Sequence, residues 1–300
     1  MHSTSRTQST RALTALLIGG VLIGCSPIFV RLSEVGPVST AFWRLALALV
    51  PLLFFTTRGG TARGGTPRTL GDIVLVSLPG LLLAVELVAW HLSLHMTSVA
   101  NATLLVNMAP VFVVLYSWLV LRQSPGRLFT LALALTVAGV VILKGGPLAL
   151  GGGGLAGDAV AIFAAMLYAA YILALGKMRE RFSTSSIMIW SSGAGAALIF
   201  PFALWSEPTL LPLSLAGWAV LVALSWLSQA GGQGLITFAL AWLSAAFSSL
   251  TLLLQPVVAA VLAWLVLGEV LTLEQVIGGS IVLVGIWIAR AAQGRQAGTP

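Results

Sequence analysis

The chain is short of charge. Only 8% of its residues are Asp, Glu, Lys or Arg, against about 25% in an average soluble domain, so it has no ionic coat with which to face water. Cysteine is nearly absent as well. Cys25 stands alone in an apolar stretch, which excludes a disulfide framework and a thiolate metal site and says nothing about redox compartment. The stretch "GGPLALGGGG" lacks the Gly-Lys-Ser/Thr ending of a phosphate-cradling loop. The chain also carries no HExxH, no serine nucleophile turn and no membrane-embedded pair of aspartates, which leaves an intramembrane enzyme without its usual parts. His91 and His95 are four residues apart on one stretch, but no third ligand is in reach, so no metal or other cofactor is expected.

Apolar sequence is what the chain does contain. Hydrophobic residues make up 58% of it and the mean hydropathy is +1.03, which together read as an all-α integral membrane protein. The formal charge of +7 could suggest a nucleic-acid partner. The basic residues, however, sit in short clusters between apolar runs, the pattern of membrane topology signals, and nucleic acid is set aside. The N-terminal stretch has the basic start of a signal peptide, but its apolar run continues too far and reads as a retained first span.

A hydrocarbon core about 30 Å thick needs roughly 20 helical residues. Ten apolar runs approach that length: Leu13 to Val30, Val38 to Phe55, Asp72 to Leu94, Ser98 to Leu121, Leu128 to Leu143, Asp158 to Gly176, Ser185 to Leu204, Leu215 to Phe238, Ala246 to Leu267 and Leu273 to Ala289. They are continuous rather than alternating, so helices are predicted rather than barrel strands. With the N-terminus inside, twelve Lys and Arg fall in inner segments, whereas the outer segments hold Arg31 and Lys144. Both termini are therefore expected in the cytoplasm, and "GPLALGGGGLAGD" is expected as an outer linker.

The second half repeats the first. Shifted by 146 residues (244 − 98), "SVANATLLVNMAPVFVVLYSWLVL" lies on "SAAFSSLTLLLQPVVAAVLAWLVL" without a gap, matching Ser98 to Ser244, Pro110 to Pro256 and Trp118 to Trp264. Five spans per half is an odd number, so the halves are expected to be inverted, with residues 1–145 and 157–300 as the repeats about a Gly-rich linker at 146–156. Inverted repeats place a solute site near the midplane where they meet.

The duplication, together with "AFWRLALALV", "TSVANATLLVNMAPVFVVLYSWLVL" and "LLLQPVVAAVLAWLVLGEVLTLEQVIGGSIVLVGIWI", resembles the EamA-type drug/metabolite transporter superfamily. Within it the chain most resembles bacterial amino-acid and metabolite exporters, including the aromatic amino-acid exporter type. The resemblance implies a multi-pass inner-membrane protein that exports an amino acid or a similar small amphiphilic metabolite. Gly268-Glu269 follows the long helix of the second half, whereas the first half has Arg122-Gln123 in its place.

Candidate site residues are the polar groups inside spans, where an ionisable side chain costs about 2.5 to 3.5 kcal/mol unless it faces protein or water. On the third span, helical periodicity puts Glu86, Trp90 and Ser93 on one stripe and His91 and His95 on another, so only one stripe can look straight into a central cavity. Glu86 reads as a cavity carboxyl or as a carboxyl bonded to a neighbouring helix. His91 beside Trp90 reads as a pair able to grip an amphiphile by stacking and hydrogen bonding. Asn101, Asn107 and Met108 precede Pro110, and Gln255 precedes Pro256; such paired helix interruptions point to a transport site and to gating, although the asparagines could equally glue helices together. Gln229 and Gln233 on the eighth span share a polar face that its repeat partner lacks. Tyr168 on the sixth, three residues from Tyr171, is a cavity wall or ordinary packing. Arg44 reads as a structural residue that snorkels or pairs with Glu86, with attraction of a substrate carboxylate as the alternative. Ala132 and Gly139 match Gly278 and Gly285, small residues that permit close helix packing within the chain or at a homodimer contact.

Overall fold

The computed structural model describes residues 2–57, 64–97, 99–120, 122, 124–145, 154–267 and 270–296. Most of the expected Gly-rich linker, Gln123 and the Gly268-Glu269 pair lie outside them, and so does the side chain of Asn101. The described residues form helices and turns, with one isolated bridge between Gly65 and Phe182. In chain order the apolar helices are α1 Gln8–Arg31, α2 Pro37–Phe54, α3 Leu70–Ser93, α4 Ala102–Leu119, α5 Arg127–Leu143, α6 Leu155–Arg179, α7 Thr184–Ser206, α8 Leu215–Ala239, α9 Ala245–Val266 and α10 Leu273–Gln293. Among the described residues, nine of these are long and apolar enough to cross a bilayer, and α5 is the shorter one. Its 17 residues extend about 26 Å at 1.5 Å per residue.

Polarity is inverted relative to a water-soluble globule. Ser225, Ser228, Gln229, Gln233 and Thr237 of α8 are buried, while Leu131, Phe202, Leu265 and Trp287 face outward. An apolar exterior around a partly polar interior is stable only in an apolar solvent, because the outward apolar side chains meet lipid while polar groups such as Ser225, Ser228 and Gln229 bond inside the bundle.

Proline sets where the helices break. Pro27, Pro51, Pro110 and Pro256 each lack the N–H that would bond four residues back. The helices are interrupted a few residues before each: between Gly24 and Ser26, Ala46 and Leu49, Val106 and Ala109, and Thr251 and Leu254. The breaks in α4 and α9 fall within one residue of the 146-residue offset. α3, in contrast, runs as one α-helix through Pro79. Its repeat partner α8 is α-helical at both ends and a π-helix from Leu224 to Gln233, a wide turn that is rare and concentrates at functional sites.

The helices pack in defined pairs: α5 with α10, α3 with α6, α3 with α7, α2 with α7, α2 with α8, α1 with α8 and with α9, α4 with α6 and with α9. Small residues bring α5 and α10 together. A Cβ on Gly139 would lie 2.8 Å from the Val282 nitrogen and 2.9 Å from the Gly278 oxygen, and one on Gly285 would lie 2.1 Å from Thr136 Oγ1. The small-residue stripe is thus used inside the chain.

Polar ties mark the two ends of the bundle. At one end Arg181 pairs with Asp72 at 3.0 Å, and the Gly65 and Ser183 amides bond to Arg181 and Gly65 oxygens. At the other, the Glu207 carboxylate accepts from the Val38 and Ser39 amides at 2.7 and 2.9 Å, capping the start of α2. There Glu34 accepts from the Leu213 and Ser214 amides and the Ser214 hydroxyl. These bonds hold the Glu34 carboxyl below the usual carboxylate range, with the Ser214 hydroxyl the largest cause.

Candidate solute site

A cavity of about 210 Å³ lies among α1, α2, α3, α4, α6, α8 and α9. Drug-sized ligands occupy pockets of about 300 to 1,000 Å³, so this one suits a smaller solute. Its wall includes Ile23 to Val30 of α1 in part, Thr103 to Pro110 of α4 in part, and Lys144 just past α5, which places it toward the Glu34 end. Between it and the Asp72 end lie Leu13, Leu16, Leu175, Met178 and Phe247, all buried in the main hydrophobic core.

α4 and α9 contribute to the wall in matched pairs. Thr103 and Ser249, Val106 and Leu252, Asn107 and Leu253, Ala109 and Gln255, and Pro110 and Pro256 all line the cavity, and each pair is separated by 146 residues. In each span these positions gather around the proline break. Within it the Asn107 side-chain amide donates to the Thr103 carbonyl at 2.7 Å, recovering an acceptor near the interruption and leaving its own carbonyl oxygen available.

α3 supplies Leu83, Glu86, Leu87 and Trp90. Glu86 is 4% exposed, and among the described residues its carboxylate has no hydrogen bond and no ion pair within 4.0 Å. Arg44 faces the same cavity from α2. Its Nε donates to Gln229 Oε1 at 3.1 Å, and the Gln229 amide in turn reaches Ser192 Oγ at 3.5 Å. Ser225 Oγ donates to the Arg44 carbonyl at 2.8 Å. The guanidinium is thereby anchored on one edge by α8 and kept from snorkelling. From α6, Tyr168 stacks near Tyr171 with ring centroids 5.7 Å apart and joins the wall.

Buried side-chain polar atoms without a protein partner collect here. Ser26 Oγ, Trp90 Nε1, Gln233 Nε2 and Gln255 Nε2 all belong to cavity-lining residues. An unmet buried donor costs about 1 to 3 kcal/mol, so a cluster of them marks a surface built to be completed by something it holds.

Of the residues singled out in the sequence, the structure brings Glu86, Trp90, Asn107, Tyr168, Gln233, Pro110 and Pro256 to this wall. His91 is buried beside Trp90, ring centroids 5.0 Å apart, but is not part of the lining. The reason is the 100° step of the helix, which turns it away from the Glu86–Trp90 stripe. Gln229 acts one layer back, through Arg44. Met108 sits at the α4 break and packs on the small cluster of Leu104, Val140, Leu253 and Val282. The sequence favoured a structural role for Arg44, showed Lys144 only as an outer-segment cation, and marked Gln255 only as the neighbour of Pro256. An arginine well inside a span is a functional signal by default, and Gln255 is the residue before the second proline break.

The EamA-like transporter family matches residues 10–144 and again residues 155–291. An uncharacterized transporter of Archaeoglobus fulgidus is 27% identical over 296 residues, covering 96% of this chain and 99% of its own. The pseudopaline exporter of Pseudomonas aeruginosa is 25% identical over 84% of this chain and 86% of its own. A probable terminal-alkyne amino-acid exporter of Streptantibioticus cattleyicolor is 28% identical over 91% of each. One crystal structure shares the fold, with a TM-score of 0.79 over 98% of this chain and 99% of its own at 17% identity. With the family's domain present twice on a multi-pass helical bundle, the chain belongs to the EamA-like transporter family and is a membrane transporter.

Proposed function

We propose that the protein is a secondary transporter that exports amino acids or similar small amphiphilic metabolites by alternating access around this cavity. The observation that carries the reading is the matched lining of α4 and α9: five equivalent pairs from the two family domains wall one cavity, which is where repeat transporters hold their solute. Arg44 and the unpartnered N–H groups of Gln233 and Gln255 suit a carboxylate, the Glu86 carboxylate suits an ammonium, and Trp90 and Tyr168 suit an apolar side chain. The names of the pseudopaline and terminal-alkyne amino-acid exporters are consistent with such a solute.

The ten spans form two inverted five-helix repeats, residues 1–145 and 157–300 about a linker at 146–156. The packing supports this. Exchanging each helix for the one five later turns α3–α6 into α8–α1, α3–α7 into α8–α2 and α4–α6 into α9–α1, while α2–α7, α4–α9 and α5–α10 map onto themselves, and all of these contacts occur. Arg68, Lys177, Arg179 and Arg181 gather at the Asp72 end, which is therefore the cytoplasmic one, with both termini, in a bacterial cell membrane. Pro110 and Pro256 serve as hinges. An intramembrane enzyme is the weaker reading, since among the described residues the cavity lining holds a single carboxyl group and no histidine.

Counterflow of labelled amino acids in proteoliposomes tests the proposal. The wild-type protein is expected to exchange amino acids, and Glu86→Gln to reduce their apparent affinity about tenfold, or 1.4 kcal/mol, with unchanged yield of folded protein. Absence of counterflow for every amino acid would overturn it.

A further inference from the structure

The charges on the cavity wall do not balance for a simple amino acid. The wall carries two basic side chains, Arg44 and Lys144, and among its described residues one acidic side chain, Glu86. A zwitterion with one carboxylate would set that group against Arg44 and its ammonium against Glu86, leaving Lys144 unanswered. Lys144 is half-buried, just past the end of α5, and among the described residues its ammonium makes no hydrogen bond and no ion pair. A cation in a low-dielectric wall is costly without a counter-charge.

Hydrogen-bond capacity is skewed the same way. The N–H groups of Trp90, Gln233 and Gln255 are buried and unmatched, whereas Asn107 has already spent its amide on Thr103. Unmatched donors on a wall call for acceptors on the solute, and an ionised carboxylate is acceptor-only, with about four lone-pair sites. A second carboxylate would answer the surplus cation and the surplus donors together.

On the reading of this cavity as the transport site, we propose that its solute is an amino diacid, an amino-acid-type molecule with two carboxylates and net negative charge, one carboxylate at Arg44 and the other at Lys144. A neutral amide in the second position would use some of the donors, but it would leave the Lys144 charge unpaired, so the site discriminates against it.

The experiment is competition in the proteoliposome counterflow assay, with aspartate, glutamate and 2-aminoadipate each set against the amide of its side-chain carboxyl. At least one diacid is expected to compete tenfold or more better than its amide. That ratio is expected to fall toward one in Lys144→Gln and to be largely kept in Lys144→Arg, with the thermal midpoint of each variant in detergent reporting its fold. Diacids and amides that compete equally in the wild-type protein overturn the inference while leaving amino-acid transport standing. A wild-type preference for diacids that Lys144→Gln, still folded, retains in full overturns the role of Lys144. Failure of every amino acid to compete removes both this inference and the transport reading beneath it. The wild-type comparison decides the charge preference without any variant.

Discussion

Two pairs of repeat-related helices use their shared ancestry in opposite ways. α4 and α9 break at matching prolines and line the cavity with matching positions. α3 and α8 differ at the positions that matter. Glu86, a cavity carboxylate on α3, corresponds at the 146-residue offset to Gly232 on α8, where a Cβ would lie 2.8 Å from Ile23 Cγ1 and 3.2 Å from the Gly19 oxygen. Leu83 and Leu87 correspond to Gln229 and Gln233. One helix is a continuous α-helix, while the other widens into a π-helix over Leu224–Gln233. On the proposed alternating-access reading, the symmetric pair supplies what both conformations need, a hinge in each half. On the same reading, the asymmetric pair supplies what a solute with two unlike ends needs, a carboxyl group on one wall and amides on the other.

The comparison breaks most severely where equivalence is forced. Gly232→Glu, which gives α8 the residue of α3, is expected to prevent folding or to lower stability by at least about 3 kcal/mol, since it combines overpacking with a buried charge. The reverse change, Glu86→Gly, is expected to cost about 1 kcal/mol, that of a helical glycine, while still impairing transport. Thermal unfolding in detergent measures both, and equal losses would mean that the two positions are not used differently.

Pro110→Ala and Pro256→Ala sharpen the symmetric half. Each restores a helical bond in one hinge, so folded yield is expected to hold while solute flux in proteoliposomes drops several-fold by a biased inward–outward balance. The two losses should be alike. Native flux in both variants would remove the hinges from the mechanism.

The smallest expected effect lies at the Glu34 end. Because Glu34 has its carboxyl pKa lowered by the Ser214 bonds, its contribution is present above the ordinary carboxylate range and is lost as pH falls through the depressed folded value. Glu34→Gln should therefore melt slightly below the wild-type protein at neutral pH and converge with it in acid. Melting curves that stay parallel across that range would show the tie to be inert.

Much of this was legible in the chain before any coordinates, for a physical reason. Bilayer solvent forces long apolar helices, and a duplication leaves its offset in the residues, so the helices, the repeat and the proline breaks all follow from local sequence. Helical periodicity likewise put Glu86 and Trp90 on one stripe and His91 on another. It could not say which stripe faces the centre, because rotation of a helix about its axis is set by its neighbours. α6 and α7 pack on α3, and with them in place the Glu86–Trp90 stripe looks inward and His91 does not. The same limit hid Arg44, whose role depends on Gln229, a residue 185 positions away that anchors one edge of the guanidinium. It also hid Lys144, which reads as a loop cation until the helices assemble and place it on the cavity wall. Composition and spacing determined the solvent, the helices and the duplication, whereas only the tertiary structure decided which polar groups meet, since cavity walls are made of contacts distant in sequence.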